Sequence, residues 1–388
     1  MRKLTYYGQN FPDRAGCPAE AAGARQPVPR ATTRSFEITT GTMTGKNPPQ
    51  LYETLMLEKN EPLLSVQDLK VFFHGEDGVI SKAVDGVSYA LRGGETVCLV
   101  GESGCGKTVS ALAILGLVPQ PSGKIEGGKI LFKGQNLLEL NESGLQYIRG
   151  KEISMIFQEP MTSLNPVFPI GEQIEEVIYA HEAVEKPVAQ QRALQLLTDV
   201  GLPSPKENMK AYPHNLNGGQ RQRVMIAMAL ACGPEMVIAD EPTTALDVTI
   251  QAQILHLFKE LQNSRHMAIL HITHNLGVVA EMADRIYVMY AGVMAEVGNV
   301  EQIFHDPCHP YTMGLLASLP SRSRKGQPLY TIPGAVPDPA YKPSGCPFNP
   351  RCPYVQESCR REFPEMCDFR EHHLARCPII YGKRKGAG

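Results

Sequence analysis

The chain has no tryptophan and no apolar run long enough to cross a membrane. A spanning helix needs about 18 or more consecutive apolar residues, and the longest run here, Val224 to Cys232, is half that. Any role at a membrane therefore calls for docking onto other subunits. An excess of one charge is also missing. Lys and Arg number 38 against 40 Asp and Glu, a formal net charge of −2, so no global basic field favours nucleic acid. Residues 1–25 lack an apolar core, and no secretory signal is expected. The absence of Trp decides nothing. What is present is ordinary for a globular protein: 388 residues, 43% of them hydrophobic, enough for two or three domains.

Residues 1–61 are rich in Pro, Gly, Thr and Arg and show no sustained period, so they read as a disordered extension. Met43 and Met56 are each candidate starts. The pattern changes at Leu63. Leu63 to Phe73 and Ala83 to Leu91 alternate as strands of an antiparallel layer. Glu95 to Val100 reads as a short apolar strand leading into a glycine loop and the apolar helix Val109 to Leu117. Gly127 to Phe132 and Ile153 to Gln158 are further strands. Ile170 to Val200 reads as a more polar helical insert, and Val224 to Ala231 as a strongly apolar helix. Met236 to Ala239 and Ala268 to Thr273 have the continuous apolar character of parallel strands. Ile286 to Tyr290 and Val293 to Val297 look like a closing hairpin. From about Asp306 proline becomes frequent, and an irregular C-terminal module is expected.

The segment GESGCGKT, Gly101 to Thr108, fits the phosphate-loop pattern, follows a strand and opens a helix. Its glycines let backbone N–H groups turn inward on phosphate oxygens, and the helix N-terminus adds partial positive charge. Gly101, Ser103, Gly104, Cys105, Gly106, Lys107 and Thr108 are the candidate nucleotide contacts. Lys107 is placed to reach the β- and γ-phosphates, and the Thr108 hydroxyl to ligate Mg²⁺. Downstream, the apolar strand Met236 to Ala239 ends in Asp240 and Glu241. Asp240 suits the Mg²⁺ shell, and Glu241 the role of orienting or deprotonating the attacking water. Between these motifs, a Gly-Gly pair opens a helix in YPHNLNGGQRQRVMIAMAL, a second anion cradle. One chain has no evident use for two cradles, but two chains packed head to tail do.

These residues resemble the ATP-binding cassette ATPases over roughly Leu63 to Leu319. The resemblance implies an α/β P-loop fold with an antiparallel β subdomain, a RecA-like core and a helical subdomain at about 159–233. The cassette would span 62–305, and a C-terminal extension 306–388. It assigns Gln158 as the glutamine that senses Mg²⁺ and touches the membrane subunit. LNGGQ, Leu216 to Gln220, becomes the family signature, contributing Asn217, Gly218, Gly219 and Gln220 to nucleotide. Ala245 to Asp247 is the loop that supplies Asp247, and His274 the switch histidine at the γ-phosphate. Phe73 is the candidate for stacking on adenine, with Phe72 beside it. His271 lies within a strand and reads as a packed residue. FQEPMTSLNPVFPIGEQI, HPYTMGLLASLP and GCPFNPRCPYVQESC narrow the resemblance to the D-type subunits of oligopeptide and dipeptide importers, with nickel importers as near relatives. Asn217 departs from the family pattern, which has serine there. Because the signature acts in trans, this substitution bears on the partner's ATP site.

Ten cysteines divide into five scattered ones and five at Cys346, Cys352, Cys359, Cys367 and Cys377. The spacing C-x5-C-x6-C-x7-C-x9-C is not that of a zinc finger, and four thiolates are what an iron–sulfur cluster needs. The resemblance assigns Cys346, Cys352, Cys359 and Cys377 to a [4Fe–4S] cluster, leaving Cys367 extra. Structural zinc and free thiols are the alternatives. The resemblance also implies two membrane permease subunits, a second and paralogous ATP-binding subunit, and an extracytoplasmic solute-binding protein. It implies no nucleic acid partner and places the chain peripherally on the cytoplasmic face of the inner membrane. A soluble cassette ATPase would carry a long coiled-coil insert or a second cassette, and a regulator that binds ATP without turnover would not need Glu241 and His274.

Overall fold

The computed structural model describes residues 61–158, 163–243, 246–319, 329–370 and 372–385. The extension expected over 1–61 and both candidate starts lie outside them, apart from Glu61. The alternating stretches form the expected antiparallel layer. β1 (Leu64–His74) pairs with β2 (Ile80–Leu91). The chain then leaves for a second sheet through β3 (Thr96–Val100). It returns as β4 (Gly123–Phe132) on the other edge of β1, followed by the short β5 (Gln135–Asn136).

The second sheet is built from the continuous apolar runs. β6 (Ile153–Ile156), β7 (Met236–Asp240), β8 (Ala268–Thr273) and β3 lie side by side in parallel. All their residues but Met155 are buried, which is why they show no alternation. β9 (Arg285–Tyr290) runs parallel to β3 and forms the expected hairpin with β10 (Val293–Asn299).

Helix α1 (Lys107–Ile114) follows β3, and α2 (Glu142–Ile148) follows the antiparallel sheet. The helical insert is α3 (Ile170–His181), α4 (Lys186–Asp199) and α5 (Gly218–Ala229). Ile170, Ile174 and Ile178 recur at helical spacing on α3 and are buried in one cluster with Ala193, Leu197 and Val224. α6 (Val248–Arg265) and α7 (Leu276–Met282) flank β8, and α8 (Val300–His305) follows β10.

The segment after Asp306 is more regular than its prolines suggest. It forms α9 (Pro310–Ala317), α10 (Glu357–Arg361) and α11 (Pro378–Lys385). A hairpin of β11 (Cys367–Arg370) and β12 (His373–Ala375) joins the large sheet, because β12 pairs with β10 at Glu296↔Ala375 and Val297↔Leu374. The sheet order is β11-β12-β10-β9-β3-β8-β7-β6. Strands of four and three residues are too short to leave a readable period, so composition alone pointed to irregularity. The join is locked by Glu296, fully buried, whose carboxylate accepts N–H groups from Cys308 (2.6 Å) and His309 (2.9 Å). It also accepts from His373 Nε2 at 2.8 Å. A buried carboxylate is tolerable when its lone pairs are satisfied in this way.

Candidate functional site

β3, β7 and β8 point the same way, so the loops that leave their C-terminal ends gather at one edge of the sheet. At β3 the chain turns through Gly101–Gly106 into α1. A Cβ on Gly101 would lie 2.3 Å from the Met289 carbonyl oxygen, and one on Gly106 (φ 99°) 2.3 Å from that of Ala83. Only glycine permits these approaches. Ser103 and Gly104 are exposed, whereas Cys105 and Lys107 are buried, with the Cys105 thiol pushed up by that burial. The Lys107 ammonium donates to the backbone oxygens of Gly101 (2.8 Å) and Glu102 (3.1 Å).

Asp240 ends β7 at 2% exposure. Burial raises its carboxyl, while a hydrogen bond from Thr108 works against that rise. Its Oδ1 is buried without a hydrogen-bond partner. A buried carboxylate oxygen in that condition is costly unless something binds it. A hard divalent cation ligated by carboxylate and hydroxyl oxygens is what Asp240 and Thr108 fit.

Glu241 follows at φ 46°, left-handed backbone that a non-glycine residue holds at roughly 1–3 kcal/mol of strain. The turn gives its N–H to the Ile272 carbonyl at 2.9 Å and places its side chain between two partners. Gln158 Nε2 donates to Oε2 at 3.1 Å, and His274 Nδ1 lies 2.9 Å from Oε1. Gln158 and His274, both far from Glu241 in sequence, are thus each in contact with its carboxylate. His271, expected to be packed, is fully buried with neither ring nitrogen paired, and burial lowers it to about 4. Its ring meets Phe258 edge-on at 6.5 Å between centroids.

The signature segment sits at the start of α5. Asn217 Oδ1 accepts from Gln220 N–H (2.9 Å), and Gln220 Oε1 accepts from Asn217 N–H (3.0 Å), a reciprocal capping box. Gly219 is needed for packing, since a Cβ there would lie 2.8 Å from Ile250 Cγ2. Asp247 is exposed and caps α6 by accepting from Ile250 N–H at 2.9 Å. Ala245 lies outside the described residues. Phe73 is partly buried against the apolar cluster, close enough to Gly123 that a Cβ there would come within 2.9 Å of its ring. Its neighbour Phe72 lies 5.4 Å from the Lys82 ammonium.

The C-terminal cysteines separate into a group and an outlier. Burial raises Cys346 to about 11, and the nearby thiols of Cys352 and Cys359 add to the rise. Burial likewise raises Cys377 to about 12, with Cys352 and Cys346 beside it. All four are free thiols, and Cys346 N–H donates to the Cys359 carbonyl at 2.8 Å. Burial raises Cys352 as well, and a set of neighbouring free thiols is a donor type that a thiolate-ligated metal centre would use. Cys367 starts β11, and its neighbours are Glu365 and Arg376 rather than these thiols.

Sequence reasoning missed two features. Glu102 lies in the phosphate loop at a position the motif leaves open, and Arg351 lies inside a segment read only for its cysteines. Arg351 nevertheless grips the Glu102 carboxylate with both terminal nitrogens, at 2.7 and 3.1 Å. The buried trio Glu296, Cys308 and His373 was also invisible, because 77 residues separate its ends.

Comparison with known proteins agrees with this architecture. The family model "ABC transporter" matches residues 84–244, and "Oligopeptide/dipeptide transporter, C-terminal region" matches 295–359. The dipeptide transport ATP-binding protein DppD of Bacillus subtilis is 50% identical, covering 82% of this chain and 94% of its own length. DppD of Escherichia coli is 49% identical, covering 81% and 96%. Among solved structures, the dimeric bacterial ABC transporter cassette MJ0796 is 27% identical with a TM-score of 0.55, covering 61% of this chain and 98% of its own.

Proposed function

The chain belongs to the ABC transporter ATPases, among the dipeptide and oligopeptide transport ATP-binding proteins, and on that premise we propose how its residues perform the work. It is the ATP-binding and ATP-hydrolysing subunit of a peptide importer and works with membrane permease subunits. No helix among the described residues is long and apolar enough to cross a membrane. Peripheral attachment to the permeases at the cytoplasmic face is the reading that fits. The second ATP-binding subunit is a paralogue, and solute arrives on an extracytoplasmic binding protein.

The observation that carries the catalytic reading is the contact of Glu241 with both Gln158 and His274, beside Asp240 and its unpartnered oxygen. Lys107 and the glycine loop bind the triphosphate, with Phe73 against the adenine. Thr108, Asp240 and Gln158 would hold Mg²⁺, which would supply charge neutralisation at the phosphates. Glu241 orients the attacking water, and His274 reads the γ-phosphate from the other side of that carboxylate. Gln158 links the same carboxylate to the segment that faces the permease. Asn217, Gly218, Gly219 and Gln220, with Asp247, serve the nucleotide held by the partner. Catalysis of this kind is mostly positioning and charge stabilisation.

Glu241→Gln keeps the volume but removes the charge and replaces one acceptor oxygen with a donor amide. In the chain assembled with its membrane subunits, turnover should fall by about 10²- to 10⁴-fold while ATP stays bound. ATPase activity equal to wild type would remove Glu241 from this role.

Cys346, Cys352, Cys359 and Cys377 would hold a [4Fe–4S] cluster that staples the C-terminal module. Their adjacency and freedom from disulfides support this. Anaerobic purification should yield a brown protein with iron and acid-labile sulfide, and a colourless protein holding zinc alone would overturn it.

A further inference from the structure

The phosphate loop is gripped from outside the cassette. Glu102 N–H donates to the Tyr311 hydroxyl oxygen at 2.8 Å, and the Glu102 carboxylate takes both arms of the Arg351 guanidinium. The Glu102 carbonyl, at the other end of the same residue, accepts from the Lys107 ammonium. One residue therefore lies between the C-terminal segment and the lysine that meets the phosphates. Arg351 is held firmly itself. Its side chain is 4% exposed, Nε donates to the Pro333 carbonyl at 2.8 Å, and Nη1 to the Tyr290 hydroxyl at 3.3 Å. The guanidinium lies 5.8 Å from the Tyr290 ring and 6.0 Å from that of Phe348. It immediately precedes Cys352 in a 3₁₀ turn, Asn349–Arg351, whose Asn349 amide donates to the Cys346 carbonyl at 2.9 Å. The loop between the first two cysteines thus sets where the guanidinium sits.

We propose that Arg351 and Tyr311 are positioning residues of the phosphate loop, acting through Glu102 on Lys107, so that the C-terminal module sets the chain's affinity for ATP. The inference rests on the ATPase reading above and extends it to residues outside the cassette. A planar fork on a carboxylate fixes orientation as well as distance, and it adds to the loop's own Cys105 N–H to Glu102 carbonyl bond at 3.3 Å. Linkage makes the effect reciprocal, so nucleotide on the loop stabilises the seating of the module.

The test uses the full chain purified with its membrane subunits. Affinity is read by equilibrium binding of a fluorescent ATP analogue, alongside KM and kcat for ATP. Arg351→Gln should weaken binding and raise KM roughly tenfold, with kcat at saturating ATP within about twofold of wild type. Arg351→Lys, which keeps charge but loses the fork, should recover part of the affinity. Glu102→Gln breaks the contact from the loop side without touching the module and should produce a similar rise. The double variant should lose little more than either single. Wild-type affinity in folded Arg351→Gln and Glu102→Gln would overturn the inference, as would a fall in kcat at constant KM. Those results leave the ATPase reading intact, whereas a wild-type complex that binds no ATP would sink both.

Discussion

At the ends of β7 and β8, Asp240, Glu241 and His274 are placed by strands whose residues are buried throughout. In the C-terminal module, Cys346, Cys352 and Cys359 are placed by a 3₁₀ turn, a five-residue helix and a few side-chain hydrogen bonds, and Cys377 by the short link between β12 and α11. The first region would keep its geometry with the nucleotide removed, because the hydrophobic sheet supports it. The second contributes few apolar side chains to the core, Phe348, Met366 and Leu374 among them. It leans instead on the Glu296 lock and, on the proposed reading, on a metal centre held by its thiols. Arg351 and Tyr311 join the two, so the well-packed region borrows orientation from the sparsely packed one.

The contrast is sharpest in its dependence on thiols. On the proposed cluster, Cys377→Ser should abolish metal binding and destabilise the module by several kcal/mol, as expected where ligation is part of folding. Cys367→Ser should retain metal and lower stability by less than about 1 kcal/mol, since its thiol stands apart from the other four. Metal analysis with thermal melting of both variants checks this. Equal metal loss in the two would place Cys367 among the ligands and redraw the group.

What could be read from the sequence follows the same division. The parallel strands announced themselves as unbroken apolar runs, and the phosphate loop as a gapless motif, because their chemistry is local in the chain. Glu241 could be singled out by its place after an apolar strand, but Gln158 and His274 only through a family resemblance, since no spacing rule links residues 83 and 33 positions apart. The Arg351–Glu102 pair, 249 residues apart, and the Glu296–His373 pair had no signal at all. Each side chain reads as an ordinary surface group until the fold pairs it, burying Arg351, Glu296 and His373. The hairpin β11–β12 was missed for the same reason: what makes it a hairpin is the edge of β10.

A second way to separate the regions is acid. His271 is fully buried in β8 and lowered to about 4, so its charged form is disfavoured in the folded chain. The unfolded chain binds this proton near the usual histidine value, so its share of stability is complete above about pH 6.5. It is lost as pH falls toward 4, by roughly 3 kcal/mol. His309, lowered to about 3 by burial where the two regions meet, acts in the same direction. His271→Leu should flatten this acid limb and leave stability at pH 7 equal or higher, since two unpaired ring nitrogens are removed. Melting temperature followed from pH 7.5 to 4.5 in both proteins is the measurement. An unchanged acid limb would shift the weight onto His309 and the region it anchors.

The smallest effect belongs to Asn217, where the cassette departs from its own family pattern. Asn and Ser are comparable helix caps, and the Asn217 carbonyl already holds the Gln220 N–H as a serine oxygen would. Asn217→Ser should therefore leave stability within about 0.5 kcal/mol of wild type. Its consequence should appear only across the subunit boundary if, as proposed, the signature serves nucleotide held by the partner. Both side chains can donate to a phosphate, but the amide carries its donor on a longer and bulkier arm than a hydroxyl. Turnover of the assembled complex should rise by no more than about threefold on restoring serine. An unchanged rate would mean that the amide reaches the opposite phosphate as well as serine does, and that the two ATP sites are equal despite the substitution.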